Sequence, residues 1–222
     1  MKTILLLHGW GGNENSFAPI LPYLSKHFRC LAPAFPMFGC DSDNQPDTPW
    51  TLDDYTNFIQ EYLVTNNVEK CHILAHSFGA RVTALLVTRN PARFEKLVLT
   101  GAAGIRRRKF STIIKIKLYK LRKKLGYKKQ SGSPDYKKLT NSGKKTFQNI
   151  INRDLKSEIK QINNPTLLIF GRNDNATPVK LGKKWVKISQ NANLLVYNNS
   201  GHFAYLDETS RFIKDTCEFF LD

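Results

Sequence analysis

Three residues that are far apart in the chain have the types needed to activate a serine for attack on a carbonyl carbon. Ser77 is the middle residue of the segment 75–79 (Ala-His-Ser-Phe-Gly), with a small residue two positions away on each side. Asp174 and His202 each follow a short apolar run. A nucleophilic serine needs a base that takes its proton and an acid that orients the base. The sequence therefore predicts catalysis by Ser77, His202 and Asp174.

The residues around Ser77 predict a sharp turn from a strand to a helix. The apolar stretch Cys71–Ala75 precedes the serine, and apolar residues at helical spacing follow it in Phe78–Arg89. Such a turn accepts only small neighbours and holds the serine in strained backbone geometry with its hydroxyl exposed. Ala75 is one methyl group larger than the glycine usual at this position. The segment is a weak signal alone, and the acid and the base strengthen it.

Each of these assignments has an alternative. Asp174 lies in Asn-Asp-Asn, which is typical of turns, and Asp207 or Glu208 lies nearer to His202 in sequence. His202 could be an ordinary loop histidine. The other histidines are poorly placed to act as the base. His8, His27 and His72 lie in or before early strands. His76 lies beside the serine, where we expect the sharp turn to direct its side chain elsewhere.

Acyl transfer also requires two backbone N–H groups that stabilise an oxyanion. We expect one from Phe78, directly after the serine, and the other from Trp10 in the glycine-rich segment His8–Gly12. A plain glycine turn is the alternative for that segment, and His8 is interpreted as a residue that braces it. Phe38 and Phe203 are predicted to contact the substrate.

The elements that must position these residues alternate between strand and helix. Six continuous apolar runs predict parallel strands buried on both faces, at Thr3–Leu7, Phe28–Pro33, Cys71–Ala75, Lys96–Thr100, Thr166–Phe170 and Asn193–Tyr197. Helices are predicted between them, at Ser16–Lys26, Leu52–Asn66, Phe78–Arg89, Val179–Gln190 and Thr209–Phe220. This order predicts an α/β fold with a doubly wound, mostly parallel sheet of about six strands, whose carboxyl ends hold the catalytic groups.

The net charge of +16 is confined to one part of the chain. Residues 105–161 contain 19 Lys and Arg against three acidic residues, and the remainder is neutral. We therefore predict a core at 1–104 and 165–222 and a basic helical insert at 105–164. Within it, a basic amphipathic helix is predicted over Arg106–Lys129 and a second from about Lys144 to Ile162.

The composition indicates a soluble globular protein, which we expect in the cytoplasm. No run approaches the roughly 18 apolar residues of a membrane span. The apolar opening is followed at once by His8–Gly12, so it is interpreted as a buried strand and not as a signal peptide. The four cysteines form no C-x-x-C pair and are expected to be buried free thiols. Their spacing suggests no zinc site.

These motifs together resemble the α/β-hydrolase superfamily, nearest to small bacterial carboxylesterases and thioesterases with helical lids. The resemblance rests on the segments 8–12 (His-Gly-Trp-Gly-Gly) and 75–79, on Gly171-x-x-Asp174, on Gly201-His202 and on the order serine, aspartate, histidine. It implies that the insert is a lid and that the family's first hairpin is missing here. A serine nucleophile argues against dehalogenases and epoxide hydrolases.

The resemblance implies hydrolysis of carboxylic esters or thioesters through an acyl-enzyme on Ser77, with neither cofactor nor metal. The insert has three interpretations: a solvated surface, a site for an anionic substrate or an acidic carrier such as acyl carrier protein, or a contact with anionic membrane. No motif in it supports nucleic-acid binding. A catalytically idle scaffold whose insert binds an anionic partner, or an acyltransferase with the same triad, is the alternative function.

Overall fold

A parallel sheet of six strands forms the centre of the computed structural model, which describes residues 1–37, 47–106 and 139–222. The spatial order of the strands is β2-β1-β3-β4-β5-β6, and every neighbouring pair is parallel. Their bounds are β1 Thr3–Leu7, β2 Arg29–Leu31, β3 Cys71–His76, β4 Phe94–Thr100, β5 Thr166–Gly171 and β6 Ala192–Tyr197. The predicted fold class and all six predicted strands are confirmed.

Helices cover both faces of the sheet. They are α1 Leu21–Leu24, α2 Leu52–Thr65, α3 Phe78–Arg89, α4 Asn141–Asn152, α5 Lys156–Gln161, α6 Val179–Ile188, α7 Ala204–Asp207 and α8 Thr209–Leu221. One apolar core contains buried side chains of α2, α3 and α6, and the other contains those of α1, α7 and α8. Every residue of β1, β3 and β5 is buried, because both faces of these strands are covered. Their continuous apolar runs are explained by this position.

Two predicted helices are interrupted in the structure. In place of Ser16–Lys26 the chain forms a 3-10 turn at Glu14–Phe17 and then the four-residue helix α1. Pro19 between them has no backbone N–H to donate, so it interrupts the hydrogen-bond ladder of a helix. The predicted helix from Lys144 to Ile162 is divided into α4 and α5, because the backbone at Arg153 is extended.

A capping box begins α2. The Thr51 N–H donates to Asp54 Oδ2 over 2.6 Å, and the Asp54 N–H donates back to Thr51 Oγ1 over 3.4 Å. The predicted helix over Arg106–Lys129 lies outside the described residues except for its first residue. In the described part of the chain, no helix has the length and apolar character needed to cross a membrane.

Candidate active site

Ser77 occupies the sharp turn between β3 and α3, with φ 48° and ψ −102°. A positive φ is rare for a residue other than glycine, and such strain is typical of functional turns. The turn is held in place because the Ser77 N–H donates to Thr100 O over 3.0 Å. A Cβ atom at Gly79 would lie 2.3 Å from Leu7 O, which explains why this position requires glycine. The geometry of the turn at Ser77 is thus fixed by contacts with β4 and β1.

Asp174 and His202 meet at the carboxyl edge of the sheet, from the loops that follow β5 and β6. The distance from His202 Nδ1 to Asp174 Oδ2 is 2.7 Å. The other carboxylate oxygen, Oδ1, accepts from the N–H groups of Ala176 and Thr177, each over 2.8 Å. Burial alone would raise the pKa of Asp174, but these bonds to His202 and Thr177 outweigh it and lower the pKa. Asp174 is therefore an ionised acceptor for the His202 Nδ1–H.

Thr177 links three parts of this arrangement. Its Oγ1 lies 2.7 Å from Asp174 Oδ2, 2.9 Å from Gly101 O and 3.2 Å from His202 Nδ1. The hydroxyl has one proton, and we assign it to the charged carboxylate, because a charge-assisted hydrogen bond is the stronger one. This bond orients the carboxylate that accepts from His202.

Replacing Thr177 by valine is expected to lower kcat for an ester substrate about tenfold, because Asp174 loses one bond and the ring of His202 loses a neighbour that orients it. Valine keeps the shape of threonine, so the protein should remain folded. The kcat and KM of the variant, measured with p-nitrophenyl acetate, test the prediction, with Thr65→Val on the exposed end of α2 as the control. A kcat equal to that of the wild type would show that the Thr177 hydroxyl does not contribute to positioning.

His76 packs directly against His202. The ring centroids lie 4.7 Å apart, and His76 Nε2 is 3.0 Å from His202 O. Burial, together with the nearby His202, lowers the pKa of His76 to about 3. A neutral His76 donates its Nε2–H to that carbonyl, so it supports the backbone of His202. The ring therefore lies against the loop that follows β6, which carries His202 and Phe203.

The segment that follows β1 brings Trp10 close to Phe78. Their rings meet edge to face at 5.9 Å, and the segment turns through a hydrogen bond from Gly12 N–H to Gly9 O of 3.0 Å. His8 braces this turn. Its Nε2 accepts from Phe35 N–H over 3.0 Å, so Nδ1 carries the proton and donates to Gly9 O over 2.8 Å. The bracing role expected for His8 is consistent with these contacts.

A cavity of about 560 Å³ opens beside Ser77, between the core and α4. Its size suits a small organic ligand. The lining is mainly apolar, with contributions from Trp10, Phe78, Ile105, Phe147, Ile150 and Leu181. The polar side chains that line it belong to Ser77, Arg81, Arg106, Asn152 and Thr177.

Comparison with known proteins agrees with this arrangement. The family model described as the alpha/beta hydrolase fold matches residues 2–130 and 105–209. The chain belongs to the α/β-hydrolase family. A relative in Legionella pneumophila, a pimeloyl-[acyl-carrier protein] methyl ester esterase, is 25% identical over 97% of this chain and 94% of its own length. Together, the family and this relative identify an esterase-like hydrolase.

Solved structures show the same fold. An esterase from Exiguobacterium antarcticum superposes on this hydrolase with a TM-score of 0.80, at 18% identity, over 100% of this chain and 92% of the esterase. A meta-cleavage product hydrolase from Pseudomonas fluorescens superposes with a TM-score of 0.77, at 23% identity, over 99% and 90% of the two chains. At these identities the likeness concerns the fold alone.

Of the two phenylalanines predicted to contact the substrate, only Phe203 lies in the described part of the chain. Phe38 lies outside the described residues of the hydrolase. Phe203 is 46% exposed, and its ring packs on those of His76 and His202 at 4.9 and 5.3 Å. It is not among the residues that line the cavity, so contact with the substrate stays a prediction.

Sequence reasoning gave no role to three residues near the site. Thr177 follows the predicted acid by three positions, and His76 precedes the predicted nucleophile. Arg81 follows Ser77 by four positions, which places it one helical turn along α3. This spacing was the available signal for Arg81, because it places a charged side chain one helical turn from the predicted nucleophile.

Proposed function

We propose that this hydrolase cleaves carboxylic esters or thioesters through an acyl-enzyme formed on Ser77. The observation that carries the proposal is the 2.7 Å contact between Asp174 and His202 at the sheet edge where the strained turn of Ser77 opens. The small-molecule cavity beside Ser77 gives the acyl group a place. The Legionella relative is named for the cleavage of an ester, which supports the same reaction class here.

The proposal gives each group a role that its contacts support. Because His202 Nδ1–H donates to Asp174, the other ring nitrogen, Nε2, is the one that accepts the Ser77 proton. The serine oxygen then bonds to the carbonyl carbon, and the negative charge develops on the carbonyl oxygen. His202 returns the proton to the leaving group, and it next activates water to hydrolyse the acyl-enzyme.

The oxyanion is proposed to bind the backbone N–H groups of Phe78 and Trp10. Phe78 begins α3, and N–H groups in the first turn of a helix point along the axis toward negative charge. The ring contact between the two residues keeps the segment after β1 close to the start of α3. Donors fixed in this way stabilise the transition state without reorganisation.

In the described structure, Ser77 Oγ makes no hydrogen bond with another described residue. Catalytic hydrogen bonds are often long or poorly aligned before substrate binds. The proposal therefore includes a small adjustment of the serine side chain when an ester fills the cavity. We also propose that residues 105–164 form a lid whose positive charge attracts an acidic carrier or an anionic membrane surface.

A fluorophosphonate probe is expected to label the wild-type protein, and the changes Ser77→Ala and His202→Ala are expected to abolish that labelling. The probe reacts only with a serine whose hydroxyl is activated by a base. In-gel fluorescence and intact mass give the readout. Ser210→Ala, which removes an exposed serine on α8, is the matched control and should label normally.

Failure of a folded wild-type protein to react would contradict the proposal. An idle scaffold whose basic insert binds an anionic partner would then be the better explanation. Labelling that persists in Ser77→Ala would instead show that another serine is the nucleophile. If the probe labels Ser77 but added thiols or alcohols receive the acyl group faster than water does, the enzyme is an acyltransferase.

A further inference from the structure

The cavity beside Ser77 contains two positive charges and, among the residues described as lining it, no negative one. Arg81 and Arg106 line it, whereas no aspartate or glutamate does. The rest of the lining is mainly apolar, and its uncharged polar side chains belong to Ser77, Asn152 and Thr177. A guanidinium is always charged in such a site, and a charge in an apolar cavity requires compensation.

Arg81 is buried, with 8% of its surface exposed, and its position is fixed by the backbone. Its Nη1 donates to Ile150 O and to Arg153 O, each over 3.0 Å. These carbonyls lie at the carboxyl end of α4, where the helix carries a partial negative charge. Burial lowers the pKa of Arg81 to about 10 and outweighs the opposing effect of the nearby Asp154 carboxylate, so the side chain stays protonated at neutral pH.

The other edge of the same guanidinium has no partner in the described structure. Neither Nε nor Nη2 of Arg81 donates a hydrogen bond, and Arg81 forms no ion pair, in residues 1–37, 47–106 and 139–222. These two nitrogens form the side of a guanidinium that binds both oxygens of a planar carboxylate. Because Nη1 is already held by α4, that side is presented in a fixed orientation.

Arg106 adds a second charge at the same cavity. It is exposed, and its Nη2 donates to Asn152 Oδ1 over 3.1 Å, while its backbone N–H donates to Asp154 Oδ1 over 3.3 Å. Its guanidinium forms no ion pair with the residues described. Arg81 is thus a buried cation in the wall, and Arg106 is an accessible cation at the border with solvent.

We propose that the substrate is an ester or thioester whose acyl chain ends in a carboxylate, which binds to Arg81 and is attracted by Arg106. The inference rests on the proposed function, because it names the substrate class of the same site. Arg81 lies four residues after Ser77, about 6 Å along the axis of α3, so one acyl chain can reach both residues. The apolar walls then contact the methylene groups between the ester and the carboxylate.

A purely structural role for Arg81, in holding α4 to the core, explains its bonds to Ile150 O and Arg153 O. It does not explain why the edge with Nε and Nη2 has no partner in a wall of the cavity, or why Arg106 lines the same space. The two roles are compatible and give different experimental results. A structural role changes the stability of the protein, whereas the proposed role changes the preference between charged and neutral esters.

The test compares monomethyl esters of unbranched dicarboxylic acids with methyl esters of monocarboxylic acids of the same carbon number. Wild type is expected to prefer the charged ester at least about tenfold in kcat/KM, and Arg81→Lys and Arg106→Gln should lose most of that preference through KM. Lysine keeps the charge of Arg81 and removes the two-nitrogen edge. Lys183→Gln, an exposed lysine on α6, is the matched control.

Calorimetric titration of the Ser77→Ala protein with the same ester pairs separates this inference from the proposed function. Tighter binding of the charged esters, weakened by Arg106→Gln, supports the carboxylate site even if no turnover is seen in the wild type. Equal or weaker binding of the charged esters overturns the inference, whatever the wild type hydrolyses. If Arg81→Lys does not fold, the Arg106→Gln result and the preference of the wild type decide the question.

Discussion

Asp174→Asn is expected to lower kcat for ester hydrolysis about 10⁴-fold while the protein stays folded. An asparagine at this position places an amide N–H₂ opposite His202 Nδ1, or leaves only one neutral oxygen there. The ring is then no longer held with its proton on Nδ1, so Nε2 is not a ready acceptor for Ser77. The measurement is kcat with p-nitrophenyl acetate, together with the rate of labelling by a fluorophosphonate.

The matched control for this change is Asp207→Asn. Asp207 lies nearer to His202 in sequence, but its Oδ2 accepts from Gly201 N–H over 2.7 Å, and Asp174 is the carboxylate that touches the imidazole. We expect the control to keep kcat within about threefold of wild type, since an asparagine oxygen still accepts this bond. A loss of kcat with Asp207→Asn larger than that with Asp174→Asn would assign the acid role to Asp207.

Gly171→Ala is expected to destabilise the protein by about 3 kcal/mol. A Cβ atom at Gly171 would lie 2.1 Å from Gly201 O and 2.4 Å from Ser200 O, both of which are backbone atoms. Neither can give way without moving the chain, so the loops that carry Asp174 and His202 must separate. Urea unfolding, followed by circular dichroism, measures the stability.

Gly201→Ala provides the control from the other side of the same contact. A Cβ atom at Gly201 would meet only Asp207 Oδ2, at the ordinary distance of 3.6 Å. Its expected effect on stability is within about 1 kcal/mol. If both alanine variants unfold at the same urea concentration as wild type, the close approach of the two loops does not constrain the folded state.

The strands could be predicted from the sequence because burial on both faces leaves a continuous apolar run. The bounds predicted for the strand Thr3–Leu7 agree with the structure, and so do those predicted for the helix Phe78–Arg89. The proximity of Asp174 and His202 was predictable for a related reason, since residues that follow neighbouring parallel strands meet at one edge of the sheet. These inferences use only the chain order and the periodicity of apolar residues.

The remaining contacts depend on side-chain packing between distant segments, which periodicity does not contain. The position of the His76 ring follows from the path of the loop after β6. The division between α4 and α5 follows from an extended residue, Arg153, whose carbonyl accepts from Arg81. Each of these two contacts joins residues more than 70 positions apart in the chain. A single sequence gives no signal for such pairs.

The described part of the insert is fastened to the core at several points. Gly104 O accepts from Leu155 N–H over 3.0 Å, and Thr146 Oγ1 accepts from Trp50 N–H over 2.8 Å. Together with the bonds that Arg81 makes to the end of α4, they attach one wall of the cavity to the sheet side of the molecule. Substitutions on the cavity-facing side of α4, at Phe147 or Ile150, would therefore change the shape of the cavity without replacing Ser77, Asp174 or His202.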